Sequence, residues 1–111
     1  MYGIIIDFNN EVLRSEYPSS SYMDAHSDVR SILIDDFNFT WIQGDLYFGG
    51  DSVNSITCVV AVQELAKRFA WFSSSAQNIK MFRVDEFFDL GPAIGRGSVS
   101  KKRGRPMLKV A

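Results

Sequence analysis

FTWIQGDLYFGG, residues 39–50, holds two aromatic-rich runs, FTWIQ and LYFGG, joined through Gly44 and Asp45. Aromatic and β-branched residues suit a pleated, half-buried surface, and a glycine at the first turn position supplies the backbone freedom of a tight loop. The stretch therefore reads as a β-hairpin. Upstream, Tyr22, Ala25, Val29, Ile32, Leu33 and Phe37 recur at helical period, with Ser21 and Asp24 spaced like a capping box at the start. Downstream, Asp51 or Ser52 can cap a second helix running to about Phe69. That helix carries Val53, Ile56, Val59, Val60 and Leu65, and pairs Glu64 with Arg68 four residues apart on its wet side. At the chain's start, YGIIID is short, Ile-rich and followed by the turn-prone pair Asn9 and Asn10, as expected of a largely buried strand. NIKMFRV, residues 78–84, reads as the last strand.

The order is β-α-β-β-α-β, which predicts an α+β chain of the ferredoxin-like, split βαβ type. Helical crossovers then place both helices on one face of a four-stranded antiparallel sheet. The other face is left uncovered. Both sides of the hairpin are apolar, with Phe39 and Trp41 against Ile42, and Leu46 and Phe48 against Tyr47; the first strand is apolar on both sides near its middle. An apolar sheet face open to water invites a partner, and a second copy about a two-fold axis is the simplest one, so a homodimer is expected.

With 111 residues, 46% of them hydrophobic and nine of them Phe, the chain can build one core but not two independent ones. No run approaches the roughly 18 apolar residues of a membrane span, and the first residues lack the pattern of a secretory signal, so the expected compartment is the cytoplasm and no membrane partner is expected. Cys58 sits in the apolar run SITCVVAV with no second cysteine in the chain, and reads as a small buried hydrophobe. Charge is divided unevenly. All thirteen carboxylates fall in residues 1–89, against six Lys and Arg, whereas residues 90–111 carry six Lys and Arg and no acid. Gly91, Pro92, Gly95 and Gly97 lie between, which suggests a domain over residues 1–94 and a flexible basic tail over 95–111.

MYGIIIDF, FTWIQGDLYFGG, SITCVVAVQELAKRFAWF and NIKMFRVDEFFDL together resemble the virulence-associated protein D (VapD) family over about residues 1–94. The resemblance implies a ferredoxin-like homodimer, related to the small CRISPR-associated adaptation nuclease. It also implies a bacterial endoribonuclease that cuts single-stranded RNA and is often the toxin of a toxin-antitoxin pair, with an antitoxin protein as a further partner. It implies too that the aspartate ending the first strand, Asp7, is the residue tied most closely to cleavage. Phosphodiester cleavage needs a base for the attacking oxygen and positive charge on the phosphoryl oxygens. Asp7 can be that base, can hold Mg²⁺ together with its symmetry mate, or can simply end a strand by bonding backbone amides of the Asn9 turn. The chain departs from the family pattern at two places. Asp45 stands where a small hydroxyl residue is usual, and is a candidate second oxygen ligand near Asp7; Gln77 and Asn78 replace a charged pair before the last strand. The lone His26 falls between polar neighbours and is expected at the surface. In the tail, KKRGRP (Lys101, Lys102, Arg103, Gly104, Arg105, Pro106) resembles an AT-hook. Three readings stay open for it: the minor groove of A·T-rich DNA, non-specific attraction to RNA or phosphate, and a solvated polycation. A non-catalytic nucleic-acid-binding protein working through this tail is the alternative to the nuclease.

Overall fold

The computed structural model describes residues 1–95; KKRGRP lies outside them. The hairpin forms where the sequence places it, as β2 (Phe39–Gln43) and β3 (Leu46–Gly49). Gly44 takes φ +53° in the connecting turn, a left-handed value that glycine reaches without strain. β1 (Tyr2–Phe8) and β4 (Ala76–Arg83) complete a four-stranded, wholly antiparallel sheet in the order β2-β3-β1-β4. The chain is therefore α+β, and this strand order is consistent with the ferredoxin-like arrangement.

The helices are more numerous than the periodicity suggests. α1 (Asn10–Glu16) follows β1 directly. The Asn9 side chain accepts from the amides of Glu11 and Val12, so Asn9 is a helix cap rather than part of a plain turn. α2 (Asp24–Phe37) begins without the expected Ser21/Asp24 box; the Asp24 amide donates to the Ser21 carbonyl instead. α3 (Ser55–Arg68) is capped at Asn54, not at Asp51 or Ser52. The Asn54 side chain takes the Thr57 amide, and the Thr57 hydroxyl takes the Asn54 amide. A one-turn helix, α4 (Phe72–Ser75), leads into β4, and a short 3₁₀ turn spans Gly91–Ile94.

One core forms between the sheet and the helices. Ile4, Ile6 and Phe8 of β1, with Phe39 and Tyr47 of the hairpin, pack against Leu13 of α1, Ala25, Val29 and Leu33 of α2, and Cys58, Ala61 and Leu65 of α3. Here α3 departs in part from expectation: Val53 and Leu65 are buried as expected, but Ile56, Val59 and Val60 point to solvent, and Cys58 and Ala61, small residues that allow closer approach, take the inward positions. The Glu64–Arg68 pair forms at 2.7 Å, and Arg68 also reaches Asp36 of α2 at 2.9 Å, tying the two helices together.

Alternation along β1 sends Gly3, Ile5 and Asp7 to the other side of the sheet. Gly3 is required there. It pairs with Phe48 on one side and Phe82 on the other, and a Cβ would stand 2.7 Å from Phe48 and collide with the Phe82 ring. The two rings stack over it at 5.4 Å, and Phe87 closes edge-on against Phe48 at 4.7 Å. This face is thus aromatic at the Gly3 end and polar at the Asp7 end.

Candidate active site at the polar end of the open sheet face

Asp7 is exposed near the C-terminal end of β1, where regular pairing runs out on both sides. The ladder to β3 stops at Ile5 opposite Leu46. On the β4 side Asp7 stands opposite Asn78 and Phe8 opposite Ala76, with a register shift between them. The bulge leaves Gln77 as the extra residue. Its side-chain amide donates to Asp7 Oδ2 at 3.0 Å across seventy residues of sequence. Lys80 falls two positions along β4 from Asn78, hence on the same face, and its ammonium donates to Asn78 Oδ1 at 3.4 Å. An exposed carboxylate, an amide that orients it and a lysine thus converge from β1 and β4.

Both residues that depart from the family's charged pair, Gln77 and Asn78, meet Asp7. The sequence signal for Lys80 was no more than one cation among six in an acidic body, and nothing in the linear chain links it to Asp7. No bond from Asp7 to the Asn9 turn is made by its side chain: the turn amides are taken by Asn9 itself.

Asp45 is engaged by other groups. Its backbone carbonyl accepts from the Ile6 amide at 3.0 Å, one residue from Asp7. Its carboxylate is directed to α2, where Oδ2 meets His26 Nδ1 at 2.7 Å, while Oδ1 accepts from the Tyr47 hydroxyl at 3.4 Å. The Asp7 and Asp45 carboxylates thus have separate hydrogen-bond partners, Gln77 for the first and His26 with Tyr47 for the second. His26 is not the surface residue expected of it. Its side chain is only 20% exposed, and the ring packs edge-on against Phe8 with centroids 5.2 Å apart. Burial and the Asp45 charge beside it push the Tyr47 hydroxyl up to about 12. A shallow cleft of about 370 Å³ lies between the Gly44–Asp45 turn and α2, lined by Met23, His26, Ser27 and Arg30.

Among the described residues there is no group of three or more His, Cys, Asp and Glu able to hold a metal ion. Among them, too, no helix is long and apolar enough to cross a membrane. Cys58 is buried, and burial raises its thiol pKa, in keeping with a packing role.

A scan against protein-family models finds no match. Curated proteins do match over most of the chain. It is 37% identical over 94 residues to a protein named endoribonuclease VapD 2 from Riemerella anatipestifer, covering 85% of this chain and 99% of that one. It is 34% identical over 94 residues to an endoribonuclease VapD homolog from Helicobacter pylori, with 85% and 96% covered. It is 30% identical over 101 residues to endoribonuclease VapD of Dichelobacter nodosus, with 88% and 100% covered. Identity at this level, spread over nearly the full length of each relative, establishes kinship: the chain belongs to the VapD family.

Proposed function

We propose that this chain is an endoribonuclease that cuts single-stranded RNA on the open face of its sheet, with Asp7 as the residue that activates the attacking oxygen. The observation that carries the reading is the exposed Asp7 carboxylate held by Gln77 at 3.0 Å, with Lys80 on the same face. One carboxylate oxygen is engaged by the amide, and the other has no hydrogen-bond partner among the described residues, so it is available to take a proton from a ribose 2′-hydroxyl or from water. Lys80 supplies the positive charge that the phosphoryl oxygens need as attack proceeds. The names of the relatives, each an endoribonuclease, support the same reaction class.

The working unit is a homodimer of ferredoxin-like protomers packed through the open sheet faces. Ile5 on that face and Phe87, seated edge-on against Phe48, are both about half exposed and give it apolar surface to bury. Such packing brings two Asp7 residues to one cleft, and a Mg²⁺ ion, which commonly uses one or two carboxylates and keeps several waters, would be held by that pair and would supply further charge neutralisation. The enzyme acts in the cytoplasm as the toxin of a toxin-antitoxin pair, with a protein antitoxin as partner.

The charge asymmetry of the sequence favours a second reading, a nucleic-acid-binding protein that works through Lys101, Lys102, Arg103, Gly104, Arg105 and Pro106 and cuts nothing. One assay separates the two. Purified protein incubated with a labelled single-stranded RNA, with Mg²⁺ or with EDTA, is expected to yield discrete internal cuts. Binding without cleavage under every metal condition selects the second reading.

A further inference from the structure

We infer that His26 and Asp45 form a clamp that positions Asp7 for cleavage; the inference rests on the reading of Asp7 as the cleaving residue. Three interactions carry it. The Asp45 carbonyl accepts from the amide of Ile6, the residue before Asp7, at 3.0 Å. The His26 ring packs edge-on against Phe8, the residue after it, at 5.2 Å. The imidazole Nδ1–H donates to Asp45 Oδ2 at 2.7 Å, joining the two grips into one unit, with the two side chains 20% and 11% exposed. The clamp acts where the strand has lost its regular partners. The β3 ladder ends at Ile5, and the β4 register shifts between Asp7 and Phe8, so the turn carbonyl is the last β3-side restraint before the carboxylate.

The turn itself is held rigidly enough to serve as an anchor. The Gly44 carbonyl accepts from the Trp41 indole at 2.8 Å, and the Arg30 guanidinium lies over the Trp41 ring at 3.8 Å. Tyr47 adds a weaker bond, 3.4 Å, to the other oxygen of the Asp45 carboxylate. A hydrogen bond of this burial, made while the other nitrogen of its imidazole is buried and unpartnered among the described residues, is a poor choice for stability alone. Its value lies in fixing a geometry, because misplacement of a reacting group by about 1 Å can cost about a hundredfold in rate. Asp45 and His26 are thus positioning residues, neither touching substrate.

The test compares steady-state RNA cleavage by Asp45→Ala, His26→Ala, the double variant, and Asp45→Asn, with hydrogen exchange at individual amides. Asp45→Ala and His26→Ala are each expected to lower kcat about tenfold or more, with KM changed by less than about threefold. The double variant is expected to be no slower than the worse single one, since both remove the same link. Asp45→Asn keeps an acceptor for the Nδ1–H and is expected to stay within about threefold of wild type. Exchange at the Ile6 amide rises in Asp45→Ala while Ile4 keeps its protection. If Asp45→Ala does not fold, Asp45→Asn and His26→Gln carry the comparison. Wild-type kcat in a folded Asp45→Ala overturns the clamp, and so does an Asp45→Asn as slow as Asp45→Ala, which would make the carboxylate itself a base or metal ligand. Asp7→Asn run alongside keeps the two claims apart: its full activity would overturn the role of Asp7, while the Ile6 exchange still reports whether the pair holds the strand.

Discussion

Asp7 is legible in sequence because a charge at the end of MYGIIIDF interrupts an apolar run that otherwise needs none. Its partners are not, because Gln77 reaches it only through a bulge in a strand seventy residues away, and Lys80 only through antiparallel register. His26 illustrates the same limit: flanked by polar residues in sequence, it is drawn under the hairpin turn by Asp45, nineteen positions on. Lys80→Ala is expected to slow cleavage by about a hundredfold, the low end of the range for loss of a group that stabilises developing charge. Lys80→Arg should recover part of that loss; equal rates for wild type and Lys80→Ala would remove the lysine from the site. Tyr47 gives an independent check on the hairpin. Its hydroxyl is held near 12 in the folded chain against an ordinary value of 10, so between those values the unfolded chain has lost a proton that the folded chain keeps. Stability therefore falls as pH rises through that window, by up to about 1.4 kcal/mol per unit from this group, and Tyr47→Phe should flatten the decline measured by urea unfolding.

At the scale of elements, strong local chemistry is readable and short elements are not. The hairpin appears at its expected residues because alternating aromatics and Gly44 leave little choice of register. α1 and α4, with seven and four residues, are too short to show a period, and their formation depends on Asn9 as a cap and on packing of Leu13 and Phe72. α3 offers more than one apolar stripe, and only the fold decides that Ala61 joins Cys58 and Leu65 inward while Ile56, Val59 and Val60 face solvent. Asn54→Ala, which removes the capping box of α3, is expected to cost about 1 kcal/mol in denaturant unfolding while leaving the cleavage rate unchanged. Gly3→Ala is expected to cost about 1–3 kcal/mol, because its methyl displaces the stacked Phe48 and Phe82 rings. A neutral Gly3→Ala would mean that the two strands shift apart at no cost, contrary to a tight seat for the two rings.

For the whole molecule, charge is divided between an acidic body and a basic end: six cations fall in residues 90–111, while residues 1–89 carry more than twice as many acids as bases. Truncation after Gly95 is expected to weaken RNA binding and to flatten its salt dependence by about one unit of log-log slope for each phosphate the tail no longer neutralises. Unchanged affinity would leave the tail without a nucleic-acid role. The proposed dimer and the proposed catalytic role of Asp7 meet at the polar end of the open face. Light scattering is expected to give twice the monomer mass, and a monomer at about 10 μM, where a standard interface is normally populated, would contradict the shared cleft. The most direct measurement is the single-turnover rate on a single-stranded RNA for wild type against Asp7→Asn, a change that keeps the size of the side chain and removes its charge. The expected result is a loss of about a hundredfold or more with the fold intact. Cleavage by Asp7→Asn at the wild-type rate would contradict a catalytic role for this carboxylate.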